Sequence, residues 1–433
     1  MDRMRTAVAA AALLVLLIGA VACGGGDTSS GVDANGAGAE TATAAAGGRE
    51  TSIATITDDV SRLRGLPVLR AIDTAYITRE ELGVELEGEL AGEYPPGEVA
   101  VEEKVLKHLG LLDEDADLVE LLGGLLGGSI LGYYDNQTGE LKVVSGTEEI
   151  SAINEITLAH EITHALQDQS FSITGLLPNE GSGNDDRDLA VLALIEGDAT
   201  ATEESYAAER MGLADAFNLL LESLGTPLGP GPSSYVEHSL TFPYIEGGEF
   251  VSVLLKEGGW DAVNRAYADP PQSTEQIMHP QKYLAGEPPV EVREPDIAAA
   301  LGNGWESRYG TVMGEFDLKE ILAEGVSSSR ASRAAAGWGG GRLEYLERAG
   351  GEQLTALALA WDSVSEADEF TLTMQSSLEE QTGSAFVFAA GRLPGLTTVS
   401  GTWVMAQHGS VVALVRAPDD GTGDSVARLI LGL

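Results

Sequence analysis

The sequence predicts an α+β protein with a mainly helical core and a C-terminal α+β region that contains an antiparallel sheet. Apolar residues recur at helical spacing through most of residues 51–300. A short β-hairpin is predicted within this core, because apolar runs at 130–134 and 140–144 flank a loop of turn-forming residues. Beyond residue 300 the pattern changes, and several runs resemble strands.

The length and the charge of the chain limit its organisation and its partners. The 433 residues suggest two or three units at roughly 150 residues per domain, enough to bury a core without disulfides. The chain carries 25 Lys and Arg against 68 Asp and Glu, a net charge of -43. A field of this sign repels phosphate backbones, which argues against a nucleic-acid partner. The charge indicates a well-solvated acidic surface or an adaptation to high salt, and it names no substrate.

Residues 1–22 are typical of an export signal. Arg3 and Arg5 precede an apolar run that is too short to span a membrane and that ends in small residues before Cys23, the only cysteine. The segment from Ala20 to Cys23 resembles a bacterial lipobox, which implies that Cys23 is lipidated and anchors the protein to the outer face of the membrane, in the cell envelope. The alternative is an ordinary signal-peptidase site. Residues 23–50 are rich in Gly, Ala, Ser and Thr and are expected to form a flexible tether.

Residues 51–300 are predicted to form one domain whose N-terminal part, 51–128, is helical. Thr78 begins a capping-type helix start, and two prolines at 95 and 96 interrupt the pattern. Two later helices, one ending near residue 169 and one at 189–211, flank a polar stretch. Residues 184–188 in that stretch are interpreted as a solvated loop rather than a calcium site, because they lack the spacing of an EF-hand.

Residues 301–433 are predicted to form the C-terminal α+β region. A hairpin turn is predicted at 407–410, and Trp338 with the three glycines after it is interpreted as a turn at a packed tryptophan. The expected strands are 353–361, 384–388, 402–407 and 410–416, and the expected helices are 365–378 and 425–431.

The motif that carries chemistry is HExxH, formed by His160, Glu161 and His164 on a stretch that periodicity independently predicts to be helical. At about 100° per residue, His164 lies about 40° round the helix from His160, so one edge presents two imidazoles and a carboxylate. Two such imidazoles can share one zinc ion, beside which Glu161 is positioned to take a proton from bound water. The alternative is an ordinary polar helix face.

A catalytic zinc site needs a third protein ligand. Metzincins place a Gly and a third His soon after the motif, but Gln167 and Ser170 occupy those positions, which excludes that class. In the next helix Glu196 is an acid in an otherwise apolar run, and an unpaired buried carboxylate is costly unless a cation binds it. We therefore expect Glu196 to be the third ligand, with a salt-bridged or solvent-facing glutamate as the alternative.

With these residues the sequence resembles the gluzincin group of zinc metallopeptidases, in which a Glu on a later helix completes HExxH. It also resembles poorly characterised bacterial envelope lipoproteins that share the phrases LAHEITHALQDQ, EGDAT and STEQIMHPQKY, over residues 60–370. The resemblance implies a zincin-like metallopeptidase core in residues 51–300, Zn²⁺ as cofactor and a peptide or protein as substrate. Thermolysin-like relatives orient a zinc-bound His with an Asp four residues after the ligand Glu. This sequence has Thr200 there, and helical geometry puts Asp198 on the opposite side.

Two acids on these helices are candidates for orienting a metal ligand. Asp168 lies about 80° round from His160, on the metal-facing edge of its helix, and is expected to orient a ligand or to receive an arginine. Glu203 shares the face of Glu196 two turns further along. For both residues, an acid held by solvent or by local contacts remains the alternative.

Hydrolysis develops an oxyanion, which a His or Tyr donor can stabilise besides the metal. His279 is ranked first and Tyr283 second for this role, because they lie four residues apart beside loop signals that suit an active-site rim. A structural histidine with satisfied hydrogen bonds is an equal alternative for His279. His238 and Tyr244 are weaker alternatives. The predicted hairpin would offer an edge strand to an extended peptide, or would serve only as scaffold.

Two hypotheses for the function follow. The first is a lipid-anchored, exported zinc peptidase that uses the ligands, base and oxyanion donors named above. The second is a non-catalytic envelope binding or scaffold lipoprotein whose zinc site is structural or vestigial. The strand-rich C-terminal region and the missing thermolysin-like Asp support the second hypothesis.

Overall fold

The computed structural model describes residues 53–93, 96–126, 132–144, 152–176, 183–211, 234–302 and 304–433. The predicted α+β class is confirmed, since a largely helical chain carries a small mixed sheet and a six-stranded antiparallel sheet in the C-terminal region. The predicted signal, the tether and Cys23 lie outside the described residues. Within the described ranges, no helix combines the length and the apolar character that crossing a membrane requires.

The N-terminal part is helical, as predicted, except for one strand. The predicted capping box is present: the Thr78 N–H donates to the Glu81 carboxylate at 2.7 Å, and the Glu81 N–H donates to the Thr78 hydroxyl at 3.1 Å. The strand was not predicted because its parallel partner is far along the chain, and this pairing overrides the local pattern. The elements are α1 (Ile53–Arg64), β1 (Asp73–Ile77), α2 (Arg79–Glu93), α3 (Pro96–Leu109) and α4 (Leu118–Leu126).

The predicted β-hairpin is confirmed as β2 (Gly132–Asp135) and β3 (Glu140–Val144), which pair antiparallel. In its turn, the Asp135 carboxylate accepts the N–H groups of Gln137 and Thr138, at 2.8 and 3.1 Å. The strand order β1-β3-β2 leaves β2 at the edge of the sheet, in contact with the helix that follows.

Long helices form the centre of the molecule: α5 (Ala152–Phe171), the short α6 (Ile173–Leu176), α7 (Asp185–Met211) and α8 (Ser234–Ala268), which is kinked at residues 258–259. The helix α7 begins earlier than predicted. Residues 185–188 form its first turn, where Asp186 and Asp188 are buried, so the interpretation of this stretch as a solvated loop is wrong. Acidic side chains are favourable at this end of a helix because they face unpaired N–H groups.

Helices α7 and α8 approach each other closely because glycines face the contact from both sides. A Cβ at Gly197 would lie 2.1 Å from the Gly247 carbonyl oxygen, and a Cβ at Gly247 would lie 2.2 Å from the Ala193 carbonyl oxygen. Only residues without a side chain allow two backbones to come this near. The contact lies beside Glu196 and therefore fixes how α8 sits against that residue.

The C-terminal sheet has the strand order β4-β5-β6-β9-β8-β7 and carries helices on both faces. Alternate residues of its third strand, β6, face opposite ways: Leu357 and Leu359 join one apolar cluster, and Ala356 and Ala358 join the other. The elements of this half are α9 (Thr274–Met278), α10 (Pro280–Ala285), α11 (Ile297–Leu301), β4 (Trp305–Thr311), α12 (Glu315–Ala323), α13 (Ser328–Ala335), β5 (Trp338–Arg348), β6 (Gln353–Trp361), α14 (Val364–Thr382), β7 (Gly395–Thr398), β8 (Gly401–His408), β9 (Val411–Ala417) and α15 (Asp420–Leu431).

Most of the predicted C-terminal elements are confirmed as β6, β8, β9, α14 and α15, and the predicted turn at 407–410 joins β8 to β9. Residues 384–388 do not form a strand, although Val387 makes an isolated bridge with Gly395. Trp338 is buried as predicted, but it begins β5 instead of a turn. Two of the glycines after it lie so close to carbonyl oxygens of neighbouring segments that a side chain would not fit.

The predicted boundary between residues 300 and 301 falls inside the short helix α11, and one apolar core extends across it. Leu106 and Leu109 of α3 belong to the same buried cluster as Leu343 of β5 and Phe370 of α14. The N-terminal helices therefore cover part of the C-terminal sheet, and the two predicted regions share their packing.

Candidate metal centre

Three side chains from two helices converge at one point. Helix α5 carries His160 and His164 one turn apart, and α7 carries Glu196. All three are buried, and their nearest ligand atoms lie within 4.8 Å of one another. In the part of the chain that the structure describes, no other group of three His, Cys, Asp or Glu side chains meets this condition. The fold thus brings together the three residues predicted as metal ligands.

Glu196 faces both imidazoles through one carboxylate oxygen. Its Oε2 lies 3.1 Å from His160 Nε2 and 3.4 Å from His164 Nε2. The two rings meet edge to face, with their centroids 4.7 Å apart and their planes at 78°. The three donor atoms therefore enclose a common point, as the ligands of a single ion must.

The other nitrogen of each ring bonds to a partner outside this group. His160 Nδ1–H donates to Glu203 Oε2 at 3.0 Å, and His164 Nδ1–H donates to Gln167 Oε1 at 2.8 Å. Such bonds fix the orientation of each imidazole and direct its Nε2 towards Glu196. Histidines that ligate metals are typically oriented in this way.

Three buried polar atoms at the centre have no hydrogen-bond partner among the described residues: His164 Nε2, Glu196 Oε1 and the Tyr244 hydroxyl. Buried polar atoms are normally paired, because an unpaired one loses its hydration without compensation. A divalent cation would bind the imidazole nitrogen and the carboxylate, which are ligand types that zinc and several other first-row ions accept. The residues at this point therefore fit a metal ion of that class.

The charges of the cluster also favour a cation. Burial by itself would raise the pKa of Glu196, but the two adjacent imidazoles outweigh it and hold this pKa at about 2. Burial lowers the pKa of His160, yet hydrogen bonds to Glu196 and Glu203 keep it well above its usual value. The carboxylates of Glu196 and Glu203 thus favour a positive charge at this point, which the protonated His160 ring can carry. A bound divalent cation would supply that positive charge in place of the proton.

Glu161 lies beside the cluster and is itself fully buried. The backbone N–H of Tyr134 on β2 donates to Glu161 Oε2 at 2.9 Å, which fixes the carboxylate against the edge of the small sheet. Burial raises the pKa of Glu161 to about 7, although the neighbouring His160 and His164 lower it. A carboxyl group with a pKa near neutrality can both accept and release a proton, as acid–base catalysis requires.

Tyr244 of α8 covers the cluster from the third helix. Its ring stacks on His160 with the centroids 6.1 Å apart and the planes at 29°. Burial raises the pKa of its phenol well above the usual value, and the negative charges of Glu196 and Glu161 add to this effect. The hydroxyl therefore stays protonated as a donor. Tyr244 was predicted from the sequence only as a weaker candidate for the oxyanion donor. The other weaker candidate, His238, hydrogen-bonds to Glu320.

The contacts of His279 and Tyr283 do not place them at the cluster. His279 Nε2 bonds to Glu315 at 2.8 Å, and the Tyr283 hydroxyl donates to the Asp269 carbonyl oxygen at 2.9 Å. No contact among the described residues joins either side chain to His160, His164 or Glu196. The expectation that they serve as oxyanion donors therefore finds no geometric support, whereas the Tyr244 ring lies against His160.

Segment 273–283, which contains both residues, joins the helical core to the C-terminal region. Thr274 donates from its N–H and its hydroxyl to Asp186 of α7, at 3.0 and 2.5 Å. The same hydroxyl accepts the N–H of Phe316 on α12 at 3.2 Å. The polar residues of this segment are thus used in packing two parts of the fold against each other, which explains why their pattern resembled an active-site rim.

The two acids predicted to orient a ligand differ in what they contact. Glu203 bonds to His160, as that role requires. Asp168 instead takes the other role left open by the sequence, since it accepts Arg70 at 2.9 Å and the Tyr134 hydroxyl at 3.0 Å. Asp168 lies one helical turn beyond His164, but its carboxylate bonds to Arg70 and Tyr134, and no hydrogen bond among the described residues joins it to either imidazole of the motif.

Two hydrogen-bond partners at the centre were not predicted from the sequence: Gln167 for His164, and the Tyr134 N–H for Glu161. Gln167 could have been found, because a residue three positions after His164 lies on the same face of the helix. The backbone donor could not, because its position depends on how the hairpin packs against α5.

Comparison with known proteins gives one match, to a family described as "Domain of unknown function (DUF8575)", over residues 304–427. This stretch runs from the start of the C-terminal sheet into α15 and contains none of the cluster residues. No curated protein and no solved structure matches the chain significantly. The matched family therefore bears on the C-terminal region alone and does not assign the metal centre a role.

Proposed function

We propose that this chain is a metal-dependent peptidase of the gluzincin type, with zinc as its ion and a peptide or protein as its substrate. The observation that carries the proposal is the convergence of His160, His164 and Glu196 on one point, with the Nε2 atoms of both rings turned inward. The adjacent buried Glu161 supplies the acid–base group that hydrolysis needs. The net charge of -43 gives no reason to expect a nucleic acid as partner.

A zinc ion bound by these residues would polarise the attacking water and the scissile carbonyl. In the hydrolysis that we propose, Glu161 takes a proton from the water and then passes it to the leaving amine, so the peptide bond breaks to a carboxylate and an amine. The Tyr134 N–H holds the Glu161 carboxylate in one orientation while this happens.

Tyr244 is the residue that we propose as donor to the developing oxyanion. Its buried hydroxyl has no close hydrogen-bond partner among the described residues, so it is available to a substrate oxygen. Its ring is held by the stack on His160 and by the close approach of α8 to α7. A donor that is already in position pays no reorganisation cost when charge develops.

A second candidate function is a scaffold or binding lipoprotein with a structural metal site. One observation favours it: the side chains of His160, His164 and Glu196 are exposed by only 0%, 1% and 1%, as in a closed structural site. Against it, a structural zinc site is normally completed by a fourth protein ligand, and among the described residues three such side chains converge.

We also propose that the protein is exported and anchored to the outer face of the bacterial membrane through a lipid at Cys23. The support is the charged and apolar N-terminal run followed by the lipobox-like segment that ends at the sole cysteine. With a single cysteine, an intramolecular disulfide is impossible, so lipidation gives this exported thiol a role.

The test of the peptidase proposal compares the full-length wild type with Glu161→Gln and with Glu209→Gln. Glu209 is an exposed residue of α7 whose ion pair with the exposed Arg62 does not involve the cluster, so it is a matched control. Cleavage of a mixed peptide library and zinc content are measured for each protein. We expect Glu161→Gln to lose about 10²-fold or more of the activity while it keeps its zinc, and the control to match the wild type.

Full activity in Glu161→Gln would contradict the proposed mechanism. A wild type that holds one zinc ion, resists chelation and cleaves no peptide of the library would favour the scaffold function instead.

A further inference from the structure

We propose that Gln167 and Arg64 are positioning residues that together hold His164 in the orientation needed to bind a metal. The relay runs from Arg64 at the end of α1 through Asp198 and Gln167 to the ring of His164. This inference rests on the proposed metal site, and neither residue contacts the point where the ion would bind.

The first step is the orientation of the Gln167 side-chain amide. Its Nε2 donates to the Ile195 carbonyl oxygen at 3.0 Å and to Asp198 Oδ2 at 3.0 Å. Both partners are acceptors only, so the NH₂ end of the amide must face them. The Oε1 end then faces His164 Nδ1 at 2.8 Å and can only accept.

The consequence for His164 is a fixed tautomer. Since Gln167 Oε1 has no proton to give, Nδ1 must carry the proton and donate it. The lone pair of the neutral ring then lies on Nε2, the atom that faces Glu196 and has no hydrogen-bond partner within the described part of the chain. A metal can bind this nitrogen without first displacing a proton.

The second step is the anchoring of Asp198. Arg64 binds it through two parallel hydrogen bonds, Nε to Oδ1 at 2.5 Å and Nη2 to Oδ2 at 3.0 Å. The Tyr267 hydroxyl donates to Oδ2 at 2.7 Å. With Gln167 included, four donors converge on one buried carboxylate, so neither Asp198 nor the amide next to it can rotate without breaking several bonds at once.

The third step is the position of Arg64 itself. Its side chain is 0% exposed, although it ends a helix near the N-terminus of the described chain. The guanidinium stacks on the Trp260 ring at 4.3 Å and also donates to Asn264 Oδ1 at 2.9 Å. One arginine thus joins α1, α7 and the distal part of α8, and a bidentate, stacked guanidinium cannot be replaced by lysine without losing this geometry.

This arrangement supplies by another route what the absent thermolysin-like Asp would do. Thr200 stands at that position, and Asp198 on the far side of α7 reaches His164 indirectly, through the amide of Gln167. The two histidines therefore each have a supporting partner, Glu203 for His160 and Gln167 for His164, and only the second partner depends on the N-terminal helix α1.

The experiment measures zinc affinity of the full-length, metal-free protein by competition with a chromophoric chelator. Gln167→Met keeps the size of the side chain but removes the acceptor, whereas Gln167→Glu keeps an acceptor oxygen at the same place. Arg64→Lys tests the anchor, and Arg62→Lys, exposed on the same helix, is its matched control. Near-ultraviolet circular dichroism of each metal-free variant reports whether it is folded, and the absorption spectrum of the cobalt form reports ligand geometry.

We expect Gln167→Met to bind zinc about 10- to 100-fold more weakly than the wild type. Gln167→Glu should recover only part of this loss, because it keeps the acceptor for His164 but loses the donor to Asp198 and to the Ile195 carbonyl oxygen. Arg64→Lys should weaken binding, while Arg62→Lys should not. A folded Gln167→Met protein with wild-type zinc affinity and an unchanged cobalt spectrum would overturn the inference. A wild type that binds no zinc would overturn the proposed function as well, so the two failures are distinguishable.

Discussion

Glu203 accepts the Nδ1–H of His160 at 3.0 Å, from a position two turns beyond Glu196 on the same helix. One straight helix therefore supplies both a candidate ligand and the group that orients another ligand. Only one rotation of α5 relative to α7 allows Glu196 and Glu203 to reach His160 at the same time. The two contacts together therefore fix the position of the His160 ring more strongly than either contact alone.

Removing this contact is expected to weaken metal binding. Glu203→Leu leaves the His160 ring without its outer partner, so we expect zinc affinity to fall by about 10- to 100-fold. Chelator competition measures the change, and Glu209→Leu on the same helix is the control. Equal affinity in Glu203→Leu and in the control would show that the bond to His160 does not matter for the metal.

Tyr244→Phe separates the hydroxyl from the ring. The stack on His160 is kept, so we expect zinc content to be unchanged, while loss of the oxyanion donor should lower kcat by about 10²- to 10³-fold. Steady-state kinetics on a cleaved library peptide measure this. Tyr283→Phe is the matched control, because its hydroxyl bonds to a carbonyl oxygen elsewhere. The reverse result, with kcat lost in Tyr283→Phe alone, would return the role to Tyr283, the second-ranked candidate from the sequence.

The close approach of α7 and α8 predicts a large effect of a single methyl group. Gly197→Ala places a Cβ 2.1 Å from the Gly247 carbonyl oxygen, so the helices must separate, at a cost of about 1–3 kcal/mol in the free energy of unfolding. Urea denaturation measures it. Gly83→Ala in α2, where nothing lies within 4 Å of the new atom, should instead stabilise the protein by about 0.5–1 kcal/mol. Equal stability of the two variants would contradict the packing described above.

Much of the fold and the three candidate ligands could be predicted from the sequence because the signals are local. His160 and His164 share a helix, and Glu196 is conspicuous as an acid in an apolar run. Tyr244 and the Tyr134 N–H could not be predicted, because each reaches the centre through packing between segments distant in the chain. Strand β1 was missed for the same reason.

At His279 the local pattern left two roles open, and its contact with Glu315 fits the structural one. A polar residue followed by loop signals fits an active-site rim and a structural junction equally well. Which of the two it is depends on the side chain that the residue contacts in the folded protein. In this chain the partner is Glu315 of α12. Several elements separate this helix from His279 in the sequence, so the residues around His279 do not predict the contact.

The junction between α7 and α9 makes the stability of the protein depend on pH. Burial raises the pKa of Asp186 to about 8, even though Thr274 donates two hydrogen bonds to it, and Asp317 and Glu275 add repulsion. The pKa of Asp186 in the folded protein lies above its unfolded value, so folding favours the protonated carboxyl group. Its contribution to the free energy of unfolding is therefore fully present below the unfolded pKa and is lost as the pH rises to about 8.

We therefore expect the free energy of unfolding to fall between pH 5 and 8, by up to about 1.4 kcal/mol per pH unit from this group. Asp186→Asn keeps an acceptor for Thr274 and cannot ionise, so its pH profile should be flatter and the variant should be relatively more stable at pH 8. Urea titrations at several pH values measure both profiles. Parallel profiles for the variant and the wild type would show that Asp186 does not titrate in this window.

The N-terminal proposal predicts where the protein is found. In a bacterial host that processes lipoproteins, the wild type is expected in the membrane fraction, with a lipid-sized mass increase on a mature chain that begins at Cys23. Cys23→Ser should prevent this modification and its processing at that site. Fractionation and intact mass measurement test it, and an unmodified wild-type cysteine would contradict the lipid anchor.

The central claim is tested most directly by a crystal structure of the full-length protein with zinc, recorded on both sides of the zinc absorption edge. The account predicts one anomalous peak at about 2.0–2.2 Å from His160 Nε2, His164 Nε2 and a carboxylate oxygen of Glu196, with Glu161 beside it and not bound. A zinc-saturated crystal with no peak at these three residues, or with Glu196 turned away from the ion, would contradict it.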